Sequence, residues 1–245
     1  MKANGYVVYD GPSTIDGSPI VMIVTNLRRA SRNAKTGEMV QTYILCRDEH
    51  PNEATKNGQD QGICGSCPHR RDPETGKRSC YVRMDGPSSV WRAFQRGSYP
   101  TASPGQVAKL LEGRALRLGT YGDPAAVPYE VVEPLALAAK TRTGYTHRWA
   151  FGIDPRWRHL VMASLDGQDQ PCPEGWRSFR VRAGWNGSHL QEGEVLCPAS
   201  EEAGKKVTCA TCGLCAGNSL KAKSVFIPVH GQGKKHFKEL ALAAV

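Results

Sequence analysis

Short apolar runs separated by polar turns dominate the first part of the chain. Residues 6 to 9 and 19 to 26 are β-type runs, and the segment between them, DGPSTIDGS, is rich in Gly, Pro and Asp. These residue types favour turns, so the pattern predicts a hairpin or two adjacent strands. A third run, QTYILC, ends at Cys46. The polar stretch over 47 to 80 that follows is predicted to be a loop pinned by metal.

The pattern changes after about residue 88. SSVWRAFQRG and QVAKLLEGR predict short helices, RALRLGTYGDP predicts a strand, and AVPYEVVEPLALAAK predicts a helix interrupted by Pro134. The segments TGYTHRWAF, HLVMASLDG and SFRVRAG are strand-like, and they precede a strand in KSVFIPVHG and a final helix in KKHFKELALAAV. A short helix or a turn is expected between these strand-like segments, and this alternation is typical of parallel βα units.

The predicted fold class is α/β, as a (β/α) barrel or partial barrel with parallel strands and cysteine-rich metal-binding loops. We expect one domain over 1–245, with N-terminal strands and the first cysteines in 1–87, a βα core in 88–193, and the last cysteines with a closing strand and helix in 194–245. GTYGDP, YTHRW and SLDG each follow a predicted strand. In a parallel sheet these loops would converge on one face.

Composition restricts the class of protein further. The N-terminus lacks the apolar run of a signal peptide, and no stretch approaches the length of a membrane span, which predicts a cytoplasmic protein without membrane contact. Nine cysteines in a reducing compartment favour metal ligation over disulfides. The net charge of +9 fits either a nucleic-acid partner or simple solubility.

The strongest metal-binding pattern is CPASEEAGKKVTCATCGLC, which contains Cys197, Cys209, Cys212 and Cys215. Two residues between cysteines let both sulfurs approach one centre from a tight turn, and the fourth ligand returns across a loop. Structural zinc and an iron-sulfur cluster both use four thiolates in this way. Four buried apolar thiols are the simpler alternative, but the polar flanks argue against it.

An earlier pattern, GICGSCPHRRDPETGKRSCYV, contains Cys64, Cys67 and Cys80. For one zinc ion it needs a fourth ligand, which Cys46 or His69 would supply. With three thiolates alone, an iron-sulfur cluster would keep one iron open for a small molecule. A redox pair or chance spacing is the alternative. Cys172 has no partner at useful spacing and is interpreted as a free thiol.

Other residues suggest chemistry at the strand ends. Asp123 and Asp166 follow strands beside Gly, where each would act as a binding group or general base, or simply cap a turn. His147 is a catalytic, nucleic-acid-binding or structural residue. Arginine and aromatic residues alternate in several segments, which suits single-stranded nucleic acid but also core packing. The residues in these segments considered for nucleic-acid binding are Arg148, Trp149, Arg156, Arg158 and Arg180.

The segments CGSCPHR, GPSSVWRAFQRGSYP, LRLGTYGDPAAVP, TGYTHRW, VMASLDG and CPASEEAGKKVTCATCGLCAG resemble a protein family encoded by tailed bacteriophages and prophages. The resemblance covers almost the whole chain. It implies a phage origin and expression in a bacterial cell, without implying an activity.

A more distant similarity is one of layout. A cysteine cluster, a strand ending in GTYGDP and another ending in SLDG resemble the order found in radical S-adenosylmethionine enzymes, which are partial (β/α) barrels. The similarity implies that Cys64, Cys67 and Cys80 hold a 4Fe-4S cluster, that Gly122 and Asp123 contact S-adenosylmethionine, and that the later cysteines hold an auxiliary cluster. The spacing C-x2-C-x12-C departs from that family's C-x3-C-x2-C.

Two classes of function follow. The first is an iron-sulfur enzyme that modifies a nucleotide or nucleic-acid base, with a zinc-bearing base-exchange transglycosylase as a variant in which Asp123 or Asp166 is nucleophile and base. The second is a zinc-stabilised protein that binds nucleic acid or a host protein without catalysis. The common phosphate-loop, dinucleotide, zinc-protease and serine-hydrolase motifs are missing from the sequence.

Overall fold

The computed structural model describes residues 3–31, 33–167, 169–187, 190–231 and 233–237. In this part of the chain ten strands form two five-stranded sheets. The strands are β1 (Gly5–Pro12), β2 (Pro19–Thr25), β3 (Val40–Cys46), β4 (Ala115–Tyr121), β5 (Thr141–Thr143), β6 (Tyr145–Thr146), β7 (Met162–Leu165), β8 (Ser178–Arg182), β9 (Glu194–Leu196) and β10 (Ser224–Pro228). The helices are α1 (Pro51–Asn57), α2 (Gln61–Cys64), α3 (Asp85–Gln95), α4 (Pro104–Ala108), α5 (Tyr129–Ala138) and α6 (Cys209–Cys212).

The first sheet changes from antiparallel to parallel pairing at β3. β1 and β2 pair antiparallel, and β2 also pairs antiparallel with β3. From β3 onward, β4 and β5 are added as parallel neighbours. The predicted hairpin is therefore confirmed, and so is the strand that ends at Cys46.

Every neighbour pair in the second sheet is parallel, in the order β6-β7-β8-β10-β9. Only Gly144 separates β5 from β6 in the chain. Its N–H donates to the Cys215 carbonyl at 3.2 Å, and its carbonyl accepts from the Met162 N–H at 3.0 Å. The α/β class with parallel strands is confirmed. The pattern does not predict β9, because three residues between polar turns are too short an apolar run.

Helices connect only some of the strands. α3 and α4 lie between β3 and β4, and α5 lies between β4 and β5 and continues through Pro134. Beyond β6, the described connections contain only short 3-10 turns and the four-residue α6. The strands of the second half are therefore parallel, as predicted, and short turns join most of them in the described chain.

Two predictions about local structure differ from the molecule. The stretch 47 to 80 contains α1 and α2 and is not a continuous loop. α1 begins there because the His50 side chain accepts from the Asn52 N–H and Pro51 fits the first turn. Of the predicted C-terminal helix, residues 234 to 236 form a 3-10 turn, and residues 238 to 245 lie outside the described chain.

The main apolar core lies on the first sheet. Residues 20 to 24 of β2 are fully shielded from solvent, as expected of a strand covered on both faces. A smaller cluster in the second sheet combines Met162, Val225 and Ile227 with two thiols, Cys197 and Cys215. The last cysteine segment is therefore built into the interior of the second sheet.

Candidate functional site

Three predicted loops meet at the carboxyl ends of parallel strands. Asp123 follows β4, His147 follows β6 and Asp166 follows β7. The Asp123 carboxylate accepts hydrogen bonds from the Thr146 hydroxyl at 3.0 Å and from the His147 backbone N–H at 2.9 Å. His147 Nε2 in turn lies 2.9 Å from an Asp166 oxygen. The predicted convergence of these loops is confirmed.

Asp166 holds two histidines, one on each carboxylate oxygen. His69 Nε2 lies 2.7 Å from Oδ1 and His147 Nε2 lies 2.9 Å from Oδ2, and the Asp166 side chain is only 3% exposed. Although burial alone would raise it, the two imidazoles hold the pKa of Asp166 well below its usual range. Burial would lower the pKa of His147, but Cys67 and Asp166 raise that pKa well above its ordinary value. The carboxylate thereby fixes both rings.

His69, His147 and Asp166 are also the one group of three metal-ligand atoms within 4.8 Å of one another in the described chain. Separations of 2.7 and 2.9 Å are typical of charge-assisted hydrogen bonds. An imidazole nitrogen that donates its N–H to a carboxylate has no lone pair left for a metal ion. We therefore interpret these residues as a hydrogen-bonded trio that orients the imidazoles.

Asp123 has a different role from Asp166. Its Oδ1 accepts from the Ala125 N–H at 2.9 Å and so caps the short turn after β4, while Oδ2 accepts from Thr146 and His147. Burial raises the pKa of Asp123, although these hydrogen bonds lower it. With both oxygens used internally, Asp123 braces the loops after β4 and β6, which matches the capping interpretation of this residue.

A cavity of about 580 Å³ lies beside these strand ends. It is lined by the trio and by all seven cysteines of the two predicted sets, which come from distant parts of the sequence. The cavity lining includes Cys64, Cys67, Cys80, Cys197, Cys209, Cys212, Cys215, His69, Gly122, Asp123, His147 and Asp166. Sequence reasoning predicts two separate cysteine sites, whereas the fold brings both to one chamber.

The first cysteine set contributes three residues to the cavity lining. Burial raises the pKa of Cys64 well above its ordinary value, and Cys67 and Cys80 raise it further. Burial also raises the pKa of Cys80, and Cys67 raises it further. All three cysteines line the cavity, although no three cysteine sulfurs of the described chain lie within 4.8 Å of one another.

Both residues considered as a fourth ligand of this set form hydrogen bonds elsewhere, and Cys46 is not among the residues that line the cavity. The Cys46 thiol donates to the Gln59 carbonyl at 3.4 Å, and burial raises its pKa to about 12. Both ring nitrogens of His69 are engaged, one by Asp166 and the other by the Ser79 hydroxyl at 2.9 Å. The first set therefore offers three thiols to the cavity.

The Tyr121 side chain leaves a polar atom unpaired beside this set. Tyr121 ends β4 and is 3% exposed, and its hydroxyl has no hydrogen-bond partner in the described chain. Burial raises the pKa of this hydroxyl well above its ordinary value, and Cys64 and Cys80 are among the groups that raise it further. A buried hydroxyl without a partner is unfavourable. A sulfur-rich metal centre on Cys64, Cys67 and Cys80 would supply an acceptor.

The second cysteine set is fixed to the sheet by backbone hydrogen bonds. The Cys209 N–H donates to the Lys35 carbonyl at 2.9 Å, and the Cys215 carbonyl accepts from Gly144. Burial raises the pKa of Cys215, and the other three cysteines of the set raise it further. The four cysteines of this segment all line the cavity.

The sulfurs are spaced more widely than a single zinc ion requires. Zn–S bonds of about 2.3 Å in a tetrahedron separate the sulfurs by about 3.8 Å. No three cysteine sulfurs of the described chain lie within 4.8 Å of one another. In an iron-sulfur cluster each thiolate binds a different iron, which holds the sulfurs further apart.

The residues considered for nucleic-acid binding do not form one surface. Arg180 is 1% exposed, and its Nε donates to Glu194 at 2.7 Å, so the prediction of a nucleic-acid contact for Arg180 is wrong. Arg156 is exposed but pairs with Asp154 and Glu130.

The remaining residues of that group have separate surroundings. The Trp149 indole N–H donates to the Ser164 carbonyl at 2.8 Å, which fixes the ring against β7. The Arg148 guanidinium lies 4.7 Å from the centre of the Phe151 ring, and Phe151 is 51% exposed. Arg158 lies against Gly175, away from this pair.

Comparison of the chain with protein-family models, with curated proteins and with solved structures finds no match. The resemblance to a phage family and the layout similarity to radical S-adenosylmethionine enzymes therefore stay predictions. Within the described residues, no helix combines the length and apolar character that crossing a membrane requires.

Several site residues are missing from the sequence-based prediction. The sequence analysis names His69 as a fourth metal ligand but not as a partner of Asp166. It does not name Lys35, Arg117 or Tyr121 at all. A usable signal exists in β4, where Arg117 stands between Leu116 and Leu118 and lines the cavity together with Gly119, Thr120 and Tyr121. An arginine between two buried leucines of a strand indicates that the strand has a polar interior face.

Proposed function

We propose that the protein is a metalloenzyme whose Cys64, Cys67 and Cys80 hold an iron-sulfur cluster with one open iron above a substrate cavity. The observation that carries the proposal is that Cys64, Cys67 and Cys80 all line one cavity, beside an unpaired Tyr121 hydroxyl, at the carboxyl ends of parallel strands. Ligand sites of parallel α/β folds gather at these strand ends. The strands from β3 to β10 then form a partial barrel around the cavity.

The protein's own residues have separate tasks in this proposal. The three cysteines bind the cluster, and Tyr121 donates a hydrogen bond to one of its sulfurs. His147, fixed by Asp166, lies within hydrogen-bonding reach of Cys67 and orients that ligand. Gly122 and the Asp123 brace shape the turn against which S-adenosylmethionine binds. When bound, the cluster supplies an electron and a coordination position to that cofactor.

A nucleotide or nucleic-acid base is the substrate class that the surroundings favour. The cavity volume lies within the range of about 300 to 1,000 Å³ that small-ligand sites occupy. Directly after His147, the exposed Phe151 ring with Arg148 over it offers a face on which a base can stack beside a cation for its phosphate. The net charge of +9 would attract such a polyanion.

The proposal is tested on protein purified and reconstituted without oxygen. Iron, sulfide and visible absorbance are measured for the full chain and for Cys64→Ser, Cys67→Ser and Cys80→Ser, followed by an assay for reductive cleavage of S-adenosylmethionine. We expect each replacement to remove about four irons per chain and to abolish cleavage. Cys172→Ser is the matched control, since Cys172 is exposed and is not among the residues that line the cavity. A colourless protein with zinc alone, or full iron content in the three variants, would contradict the proposal.

A further inference from the structure

Two cations line the cavity without an acidic partner. Arg117 lies in β4, and its one hydrogen bond in the described chain goes to the Tyr81 hydroxyl at 2.9 Å. The Lys35 ammonium group lies 3.4 Å from His230 Nε2. Neither cation forms an ion pair with a carboxylate among the described residues. A charge that is partly withdrawn from water is stabilised by an opposite charge nearby.

An aromatic contact joins the two cations into one group. The Tyr81 ring lies 5.4 Å from the His230 ring, and the Arg117 guanidinium lies 5.9 Å from the centre of the Tyr81 ring. Arg117 is thus attached to one ring of this pair and Lys35 to the other. All four residues line the cavity. We call Lys35, Tyr81, Arg117 and His230 the cationic cluster.

The cationic cluster keeps several N–H donors for a ligand. His230 Nδ1 lies 3.3 Å from the Pro228 carbonyl, so this nitrogen donates a hydrogen bond and Nε2 accepts one from Lys35. The His230 ring is then neutral, and burial and Lys35 both lower its pKa. An ammonium group has three N–H donors and a guanidinium group has five. The described protein uses one donor of each cation, so the others are available to an anion.

The backbone that carries the two cations is fixed. β4, with Arg117, pairs with β3 on one side and with β5 on the other. The Lys35 N–H donates to the Asn33 side chain at 3.0 Å, and the Lys35 carbonyl accepts from the Cys209 N–H at 2.9 Å. A preorganised pair of cations loses little conformational entropy when a ligand binds.

The carboxylates that line the cavity have other partners. Asp166 bonds to two histidines, and Asp123 bonds to the loop after β6. Asp85 pairs with Arg83 at 2.7 Å. Glu202 raises the pKa of His230, but it is exposed and forms no ion pair in the described chain. An anionic ligand in the cavity would supply the missing charge.

We infer that the cationic cluster is a binding subsite for the phosphate group of a nucleoside monophosphate. The inference rests on the nucleotide substrate of the proposed function and narrows that substrate to a phosphomonoester. Such a phosphate carries a charge of about −1.5 to −2 at pH 7 and has three acceptor oxygens, which matches two cations with free donors. A phosphodiester within a nucleic acid carries only one negative charge. The cavity volume of about 580 Å³ is also typical of a small-molecule site.

The test measures binding by isothermal titration calorimetry on the full chain purified without oxygen, and the iron content of each preparation is recorded. The probes are the common ribonucleoside 5′-monophosphates, their nucleosides, and a single-stranded oligonucleotide without a terminal phosphate. We expect at least one monophosphate to bind about tenfold or more tightly than both its nucleoside and the oligonucleotide. Lys35→Met and Arg117→Met should each weaken binding of that monophosphate about tenfold, the usual size for the loss of one charged hydrogen bond.

Matched variants separate the loss of charge from a general disturbance of the protein. Lys35→Arg and Arg117→Lys keep the charge and should retain most of the affinity. Lys109→Met and Arg92→Met, at exposed residues outside the cavity lining, should change nothing. Circular dichroism shows whether each variant is folded. If Arg117→Met does not fold, Lys35→Met decides the test, because Lys35 lies outside the strands.

Each other outcome overturns a defined part of the inference. Lack of monophosphate binding to the parent, or equal affinity in the parent and the Met variants, would overturn the subsite. An oligonucleotide that binds as tightly as the monophosphate, with the same losses in the variants, would overturn the choice of a phosphomonoester. Monophosphate binding as expected by protein that holds no iron would overturn the cluster of the proposed function and leave the subsite standing.

Discussion

Some polar residues around the cavity have hydrogen-bond or charge partners within the described protein, and others do not. Asp166 has an imidazole on each oxygen, and Asp123 has three donors, so both carboxylates are satisfied internally. The Tyr121 hydroxyl has no partner, and Lys35 and Arg117 have no acid among the described residues. All three residues line the same cavity as the seven cysteines.

Asp166→Asn should destabilise the protein by about 2 to 3 kcal/mol, because two imidazoles lose a buried charged acceptor. The two histidines lower the pKa of Asp166, and Asp166 raises the pKa of His147. The stability that comes from the lowered pKa of Asp166 is lost as pH falls below about 4. The stability that comes from the raised pKa of His147 is lost as pH rises from about 6.5 through that raised pKa. The loss in the variant should therefore be largest between about pH 4 and 6.5.

Urea unfolding followed at several pH values measures this effect. Asp169→Asn is the matched control, since it removes an exposed carboxylate three residues further on and should change stability by less than about 0.5 kcal/mol. A pH-independent difference between Asp166→Asn and the parent would show that the carboxylate carries no electrostatic part of the stability.

The join between β5 and β6 is the element on which both sheets depend. Gly144 lies there with one backbone hydrogen bond to the last cysteine of the second set and one to β7. A Cβ at this position would lie 2.6 Å from Val161 Cγ1 and 3.0 Å from Leu118 Cβ. Glycine is required because the apolar core approaches the backbone this closely.

Gly144→Ala should cost about 2 kcal/mol, the usual size for an added methyl group in a packed interior. Gly105→Ala in α4 has nothing within 4 Å of the added carbon and should be neutral or slightly stabilising. Thermal unfolding of the two variants beside the parent makes the comparison. Equal melting temperatures for Gly144→Ala and the parent would mean that the strands around the join can move apart without cost.

The whole molecule is organised around one chamber that segments far apart in sequence enclose. The first cysteines come from the connection between β3 and β4, and the second set comes from the connection between β9 and β10. The segment around Lys35, which precedes β3 in the chain, forms backbone hydrogen bonds with α6. Metal bound by both cysteine sets would therefore link the two halves of the chain.

Removal of metal by a chelator should loosen the second cysteine loop before the main core. Lys205 and Lys206 are exposed in this loop and are trypsin sites. We expect cleavage there to accelerate about tenfold or more in stripped protein, since about 1.4 kcal/mol of lost binding energy already changes the open population tenfold. Mass spectrometry of early fragments locates the cuts, and cleavage at Lys109 serves as the reference. Identical cleavage rates with and without metal would contradict a structural contribution from the second centre.

Much of the architecture follows from short local patterns. The first three strands, β4 and the positions of Asp123, His147 and Asp166 after strands agree with the predictions, because alternating or continuous apolar runs between turn residues report strand burial directly. β9 and the detailed connections between the parallel strands do not follow, since packing and not local propensity decides how loops cross between parallel strands. Arg180 was misassigned for the same reason: its buried pairing with Glu194 depends on a contact across the second sheet.

The sequence by itself determined the strand runs, the cysteine spacing and the strand-end placement of the acidic residues, because these depend on neighbours in the chain. Only the tertiary structure decided that both cysteine sets face one cavity, that Asp166 joins His69 to His147, and that Lys35 and Arg117 lack an acid among the described residues. Those relations join residues separated by tens to hundreds of positions. They arise because parallel strands place their carboxyl ends at the same edge of a sheet. A local sequence pattern does not specify which distant segments meet there.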